Sequence, residues 1–195
     1  MTVLEDRTEM AEITNEQALD EMFEALEREP FLEGYKIEIV EGAVYMTPQR
    51  ANHWDIIAGI YDQLRTKYPR RRVLSDVRID YPGDLNGFCS DVTLVAEDAK
   101  RTERGGFFCE DVEFVAEVIS RGTGQNDYGP KKTAYAEAEV DVYLVIDPYQ
   151  GKCHVYTQPK NSAYRIETTV EFGEEIDLTH TLLGLSLTTD DFSRD

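Results

Sequence analysis

At 195 residues the chain suits one domain large enough for its own core, with 30% charged and 41% hydrophobic residues as in ordinary globular proteins. Its net charge of −19, from 39 acids against 20 bases, argues against nonspecific adhesion to polyphosphate as its main work, because such binding rests on Lys and Arg neutralising phosphates. A local basic groove or a metal-bridged contact stays open.

No run of about 18 apolar residues is present, so no membrane span is expected. The opening "MTVLEDRTEMAEIT" carries acids and no hydrophobic segment, unlike a secretory signal. The cysteines Cys89, Cys109 and Cys153 are odd in number and lack paired spacing, which supports neither a disulfide framework nor a zinc site. A reducing cytoplasm is the expected location.

Residues 1–12 and an acidic tail at 191–195 are expected to fray, leaving a single domain over 13–190. Thr14 and Gln17 are spaced as a capping box, and Leu19, Met22, Phe23 and Leu26 form one apolar stripe, so a first helix runs from there toward Pro30. "GYKIEIVEGAVYMTP" alternates and turns at Glu41-Gly42, which reads as a hairpin. A second helix, from about Asn52 to Tyr68, places Trp54, Ile57, Tyr61 and Leu64 on one face. Its end, "KYPRRR", reads either as a solvated helix terminus or as a nucleic-acid patch. Strands follow in "RVLSDVRIDY", "SDVTLVAE" and "DVEFVAEVIS". "GPKKTAYAEAE" is a helix with Pro130 in its first turn, and "VDVYLVIDP" is an apolar strand of the kind buried on both faces. Peripheral strands in "KCHVYTQ" and "YRIETTVEF" complete an α/β fold with a mixed sheet flanked by helices.

Three acids fall where these strands predict burial: Glu38, Asp91 and Glu117. A buried carboxylate without a partner costs several kcal/mol. Asp91 opens its strand and Glu117 stands near the end of another, so adjacent strands would bring the two together. Such a cluster needs a divalent cation or shared protons, and oxygen-only ligands select Mg²⁺ or Mn²⁺. The plainer reading leaves each acid at a strand edge or beside an arginine. Asp127, Lys131 and Tyr135 recur at helical spacing and share a face, either as a surface ion pair with a core tyrosine or with a lysine turned to the acids. No Gly-rich phosphate loop and no nucleophile elbow is visible.

Taken in order, "EIVEGAVYMTP", His53, "SDVTLV", "EVIS" with Asp127, Lys131 and Tyr135 behind it, and "VYLVIDP" resemble the Uma-two family of restriction-endonuclease-type proteins, within the PD-(D/E)XK nucleases. The resemblance runs from about residue 30 to 190. It implies a restriction-endonuclease-like fold, Asp91 and Glu117 as metal ligands, and Glu38 as the upstream acid. "Glu117-Val118-Ile119" lacks the usual lysine, so the resemblance points to Lys131 as the ammonium donor, with Lys132 as its rival. His53 matches a family position near the second helix and reads either as a site contact or as a structural histidine. Ser90 replaces a common proline, and "SRGTGQND" replaces the usual loop.

The expected function is Mg²⁺- or Mn²⁺-dependent hydrolysis of DNA, with two copies pairing by analogy to restriction enzymes. The alternatives are a non-catalytic binding module on the same fold and a phosphodiesterase for small phosphorylated substrates.

Overall fold

Two larger sheets, a two-stranded sheet and four α-helices form in the computed structural model, which describes residues 14–48 and 50–195. The stretch 1–12, expected to fray, lies outside the described residues. The first helix, α1 (Asn15–Glu27), begins at the anticipated capping box: Thr14 accepts from the Gln17 amide and Gln17 reaches back to the Thr14 amide. A short 3₁₀ turn at Pro30–Leu32 ends it. The hairpin β1 (Lys36–Val40) and β2 (Ala43–Thr47) reverses at Glu41 and Gly42, whose φ values of 49° and 75° suit a tight two-residue turn.

Helix α2 (Ala51–Arg65) buries His53, Ile56, Ile57, Ile60 and Leu64. Trp54, expected on the inner face, is 53% exposed. The helix has two overlapping apolar stripes that share Ile57 and Leu64, and the one through Ile56 and Ile60 packs inward. "KYPRRR" ends in a 3₁₀ turn at Arg70–Arg72. There Arg72 is buried, lies over the Tyr68 ring and donates to Glu113, so it belongs to the packing of the fold rather than to an open patch.

"RVLSDVRIDY" forms two strands rather than one. β3 (Val73–Leu74) joins the larger sheet and β4 (Ile79–Tyr81) the smaller, with a kink between them at Asp76, whose φ is 55°. β5 (Asn86–Phe88) was not foreseen; it pairs with both β1 and β4 in a four-stranded sheet of order β2-β1-β5-β4.

The six-stranded sheet runs β10-β9-β8-β7-β6-β3. Its members are β6 (Val92–Val95), β7 (Val112–Val118), β8 (Val142–Asp147), β9 (Lys152–Lys160) and β10 (Ala163–Glu171), with β3. β7 and β8 are parallel and all other pairs antiparallel, so the sheet is mixed. The β7–β8 crossover holds α3 (Gly124–Tyr128) and α4 (Pro130–Glu137), as a parallel pair requires. A small hairpin of β11 (Glu175–Asp177) and β12 (Ser186–Thr188) closes the chain.

Alternation along β7 divides the core. Phe114, Ala116 and Val118 pack with Ile56, Ile57, Ile60 and Leu64 of α2, while Val115 packs with Tyr135, Tyr143 and the smaller sheet. Glu117 falls on the Val115 side, which turns its carboxylate toward α4 and β1. The end expected to fray is tied down: Phe192 packs edge-on against Phe172, the Asp195 amide donates to the Pro148 carbonyl, and Asn52 donates to Asp195. No helix among the described residues is long and apolar enough to cross a membrane. Cys89, Cys109 and Cys153 are all free.

Candidate active site

Strands β6 and β7 pair antiparallel with Val92 opposite Ala116, so Asp91 comes to lie opposite Glu117. Their backbones anchor the pair reciprocally. The Val118 amide donates to Asp91 Oδ2 at 2.7 Å and the Asp91 amide to Glu117 Oε2 at 3.3 Å. The smaller sheet brings Glu38 across, where it accepts from the Cys89 amide at 3.0 Å. Helix α4 contributes Lys131, buried to 1% exposure, whose Nζ stands 2.7 Å from Glu117 Oε1, 3.0 Å from Asp127 Oδ1 and 3.1 Å from Glu38 Oε1.

Tyr135, one turn further along α4, donates to Glu117 Oε1 at 2.7 Å. With its single proton so engaged, its oxygen accepts from the Ser90 hydroxyl at 2.9 Å. The serine found in place of a proline thus locks the tyrosine that locks the glutamate. Phe88, Tyr81 and Tyr143 pack around the Tyr135 ring.

A second ammonium, from Lys36 on β1, lies between the two principal acids. Its Nζ is 2.8 Å from Asp91 Oδ1, 3.5 Å from Glu117 Oε2 and 3.9 Å from Glu38 Oε2. Sequence reasoning passed over Lys36. The available signal was strand period: Lys36 and Glu38 are two apart on β1 and therefore share a face.

Four carboxylates here face two ammoniums. Burial alone would raise Glu117, but Lys131 and then Lys36 outweigh it and bring it down to about 2. Burial would likewise drive both lysines toward neutrality. Asp127, Glu117 and Glu38 outweigh it for Lys131, and Asp91, Glu38 and Glu117 for Lys36, so both stay charged. Asp127 pays for this crowding: burial pushes it up to about 7, with Lys131 opposing and Glu117 and Glu38 adding to the rise.

Lys36, Glu38, Asp91, Glu117 and Asp127 line a cavity of about 720 Å³, while Lys131 and Tyr135 are buried and do not line it. Phe23, Leu32 and Tyr35 give it an apolar wall, and Glu27, Glu29 and Glu33 line it as well. His53 lines it from the first turn of α2; its Nε2 is buried without a hydrogen-bond partner and stands 3.9 Å from Asp195 Oδ2. Burial lowers its pKa, opposed by Asp91 and Asp195.

A family model described as "Putative restriction endonuclease", Uma2, matches residues 20–190. The chain belongs to the Uma2 family. Its fold is similar to that of a crystal structure from Anabaena variabilis described as a "putative nuclease belonging to DUF820". The likeness has a TM-score of 0.64 at 16% identity and covers 80% of this chain and 88% of the other, which speaks for the fold. No curated protein matches the chain.

Of the residues singled out in this Uma2 chain, Glu38, Asp91, Glu117, Asp127, Lys131 and Tyr135 meet in one cluster and His53 borders it. Lys132 does not join them. It points away over the Tyr156 ring, 4.7 Å from its centroid, because adjacent residues on a helix face different sides. Among the described residues no three His, Cys, Asp or Glu side chains are disposed to hold a metal by themselves. The oxygen-only pair Asp91 and Glu117 nevertheless suits a hard cation. Magnesium commonly takes one or two carboxylates and fills its remaining positions with water and substrate phosphate, and the Lys36 ammonium already stands in as a cation between the two acids.

Proposed function

We propose that the chain is a Mg²⁺- or Mn²⁺-dependent endonuclease acting on DNA. One observation carries the reading: carboxylates from two adjacent strands share contact with a single positive group, while a second, fully buried ammonium holds the far oxygen of one of them. Asp91 and Glu117 would hold the divalent ion, which when bound supplies Lewis-acid polarisation of a phosphoryl oxygen and a more acidic water at neutral pH.

The chain's own residues do the remaining work. Glu117 is fixed in one orientation by Tyr135 and by the Asp91 amide, so its free energy of ordering is met before substrate arrives. Lys131 stays protonated and immobile among Glu117, Glu38 and Asp127, a preorganised charge for a phosphate group that becomes more negative in the transition state. Glu38 steadies that lysine and ties β1 to the β5–β6 segment through Cys89. Asp127 holds Lys131 from the α3 side.

The shape of the site favours a second reading, a phosphodiesterase for small phosphorylated substrates. A cavity of about 720 Å³ is the size of a small-ligand pocket. Glu27, Glu29 and Glu33 beside it would repel a long polyanion.

The test is cleavage of labelled single- and double-stranded oligonucleotides with Mn²⁺, alongside a small phosphodiester, by the parent and Asp91→Ala. The proposal expects oligonucleotide cleavage that needs Mn²⁺ and disappears in Asp91→Ala. Turnover of the small phosphodiester alone selects the second reading. Equal activity in parent and variant overturns both.

A further inference from the structure

Lys36 has no part in the roles above, yet its ammonium stands within 4 Å of three carboxylates. Its Nζ touches one oxygen of Asp91 at 2.8 Å and one of Glu117 at 3.5 Å, the two oxygens a bridging cation would contact. Their companions are engaged elsewhere: Asp91 Oδ2 accepts from the Val118 amide, and Glu117 Oε1 from Tyr135 and Lys131. The inward-facing capacity of the two acids is therefore taken up by one side chain.

Lys131 and Lys36 differ in attachment. Lys131 is sealed in by α4 and makes three ion pairs of 3.1 Å or less. Lys36 projects from β1 into the cavity, 15% of its side chain is exposed, and only its contact with Asp91 is short. A flexible four-carbon stem lets such an ammonium swing out along the cavity without moving the strand.

We infer that Lys36 is a tethered competitor for the cation position: it neutralises Asp91 and Glu117 while no ion is bound, and must withdraw for a divalent ion to enter. The inference rests on the proposed metal site at Asp91 and Glu117. It makes Lys36 a residue that sets metal affinity rather than one that binds metal. Two carboxylates facing each other repel unless a cation separates them, so the ammonium keeps the site formed, and its departure sets how much metal is needed to fill it. Metal binding then exchanges one cation for another, and a lysine freed into the cavity becomes available to a substrate phosphate.

The test is calorimetric titration of Mn²⁺ alone into the parent, Lys36→Met, Lys36→Gln, Lys36→Arg and Asp91→Asn, with melting curves in EDTA and in Mn²⁺. Both neutral variants are expected to bind Mn²⁺ about tenfold or more tightly than the parent, because a like charge has been removed from the site. Lys36→Arg keeps an affinity near that of the parent. The neutral variants melt earlier in EDTA and gain more from Mn²⁺ than the parent does. Should Lys36→Met fail to fold, Lys36→Gln, which can still donate to both acids, carries the comparison. Loss of Mn²⁺ binding in Asp91→Asn with unchanged or weaker binding in the Lys36 variants overturns the inference and leaves the metal site standing. Undiminished binding in Asp91→Asn removes the metal site, and the inference with it.

Discussion

Two glutamates of strand β7, four residues apart, live in opposite surroundings. Glu113 has one partner, Arg72, at 2.6 Å, and that arginine also donates to the Val95 carbonyl at 2.7 Å. Each group of this pair is matched, and neither lines the cavity. Glu117, 2% exposed, is held at once by Lys131, Lys36, Tyr135 and the Asp91 amide, and it does line the cavity. Burial raises Glu113 despite Arg72, whereas Lys131 and Lys36 overcome burial and take Glu117 down to about 2. A structural ion pair needs one well-placed partner. A carboxylate shared among several cations beside a cavity stores charge that a ligand can use.

The widest separation between the two sites should be in catalysis. Asp91→Ala and Lys131→Met are expected to lower Mn²⁺-dependent cleavage by more than about a hundredfold, the scale on which a preorganised charge is lost. Glu113→Gln should stay within about twofold of the parent, since no reacting group lies near it. A Glu113→Gln enzyme as dead as Asp91→Ala would break the comparison.

Stability should follow the same order on a smaller scale. Glu117→Gln leaves two lysines with one fewer carboxylate in a closed site, at a cost of about 3–5 kcal/mol, the range for breaking a buried pair. Glu113→Gln weakens one charged hydrogen bond and should cost about 2 kcal/mol. Urea denaturation monitored by circular dichroism checks both values, and the reverse ranking would refute the contrast.

Acid titration sharpens the comparison further. Glu117 sits below its ordinary 4.5, so its ion pairs contribute fully above that pH, and the contribution is lost as pH falls through about 2. The gap in melting temperature between parent and Glu117→Gln should therefore close between pH 4.5 and 2. Asp127, pushed up to about 7, behaves in the opposite sense: its contribution is present below its ordinary 3.8 and disappears as pH rises through about 7. Asp127→Asn should flatten the loss of stability between about pH 3.8 and 7, as melting curves across that range will show.

The smallest effect belongs to Lys132. Lys132→Ala removes only its contact with the Tyr156 ring and should cost up to about 1 kcal/mol. Cleavage should be retained, in contrast with its neighbour Lys131.

Much of this was legible because it is local. A glutamate inside "FVAEVIS" signals an acid with an unusual partner, and the spacing of Asp127, Lys131 and Tyr135 shows they share a face even though Gly129 separates α3 from α4. The capping box at Thr14 and the turn at Glu41-Gly42 depend only on neighbours in the chain, and both formed as expected. What stayed hidden depends on long-range pairing. β5 has three residues, "NGF", too few to show alternation, yet it is the strand that brings β1 and with it Lys36 to the site. "RVLSDVRIDY" reads as one strand because nothing in its composition marks the kink at Asp76 that sends its halves to different sheets. Trp54 misled for a related reason: hydrophobicity ranks it as core, while the packing of α2 on β6 and β7 selects the stripe through Ile56 and Ile60.

A crystal soaked in Mn²⁺ and measured at the manganese absorption edge tests the central claim most directly. An anomalous peak between Asp91 and Glu117, with the Lys36 ammonium displaced from both, is the predicted result. Peaks elsewhere only, with Lys36 still seated between the two acids, would contradict it.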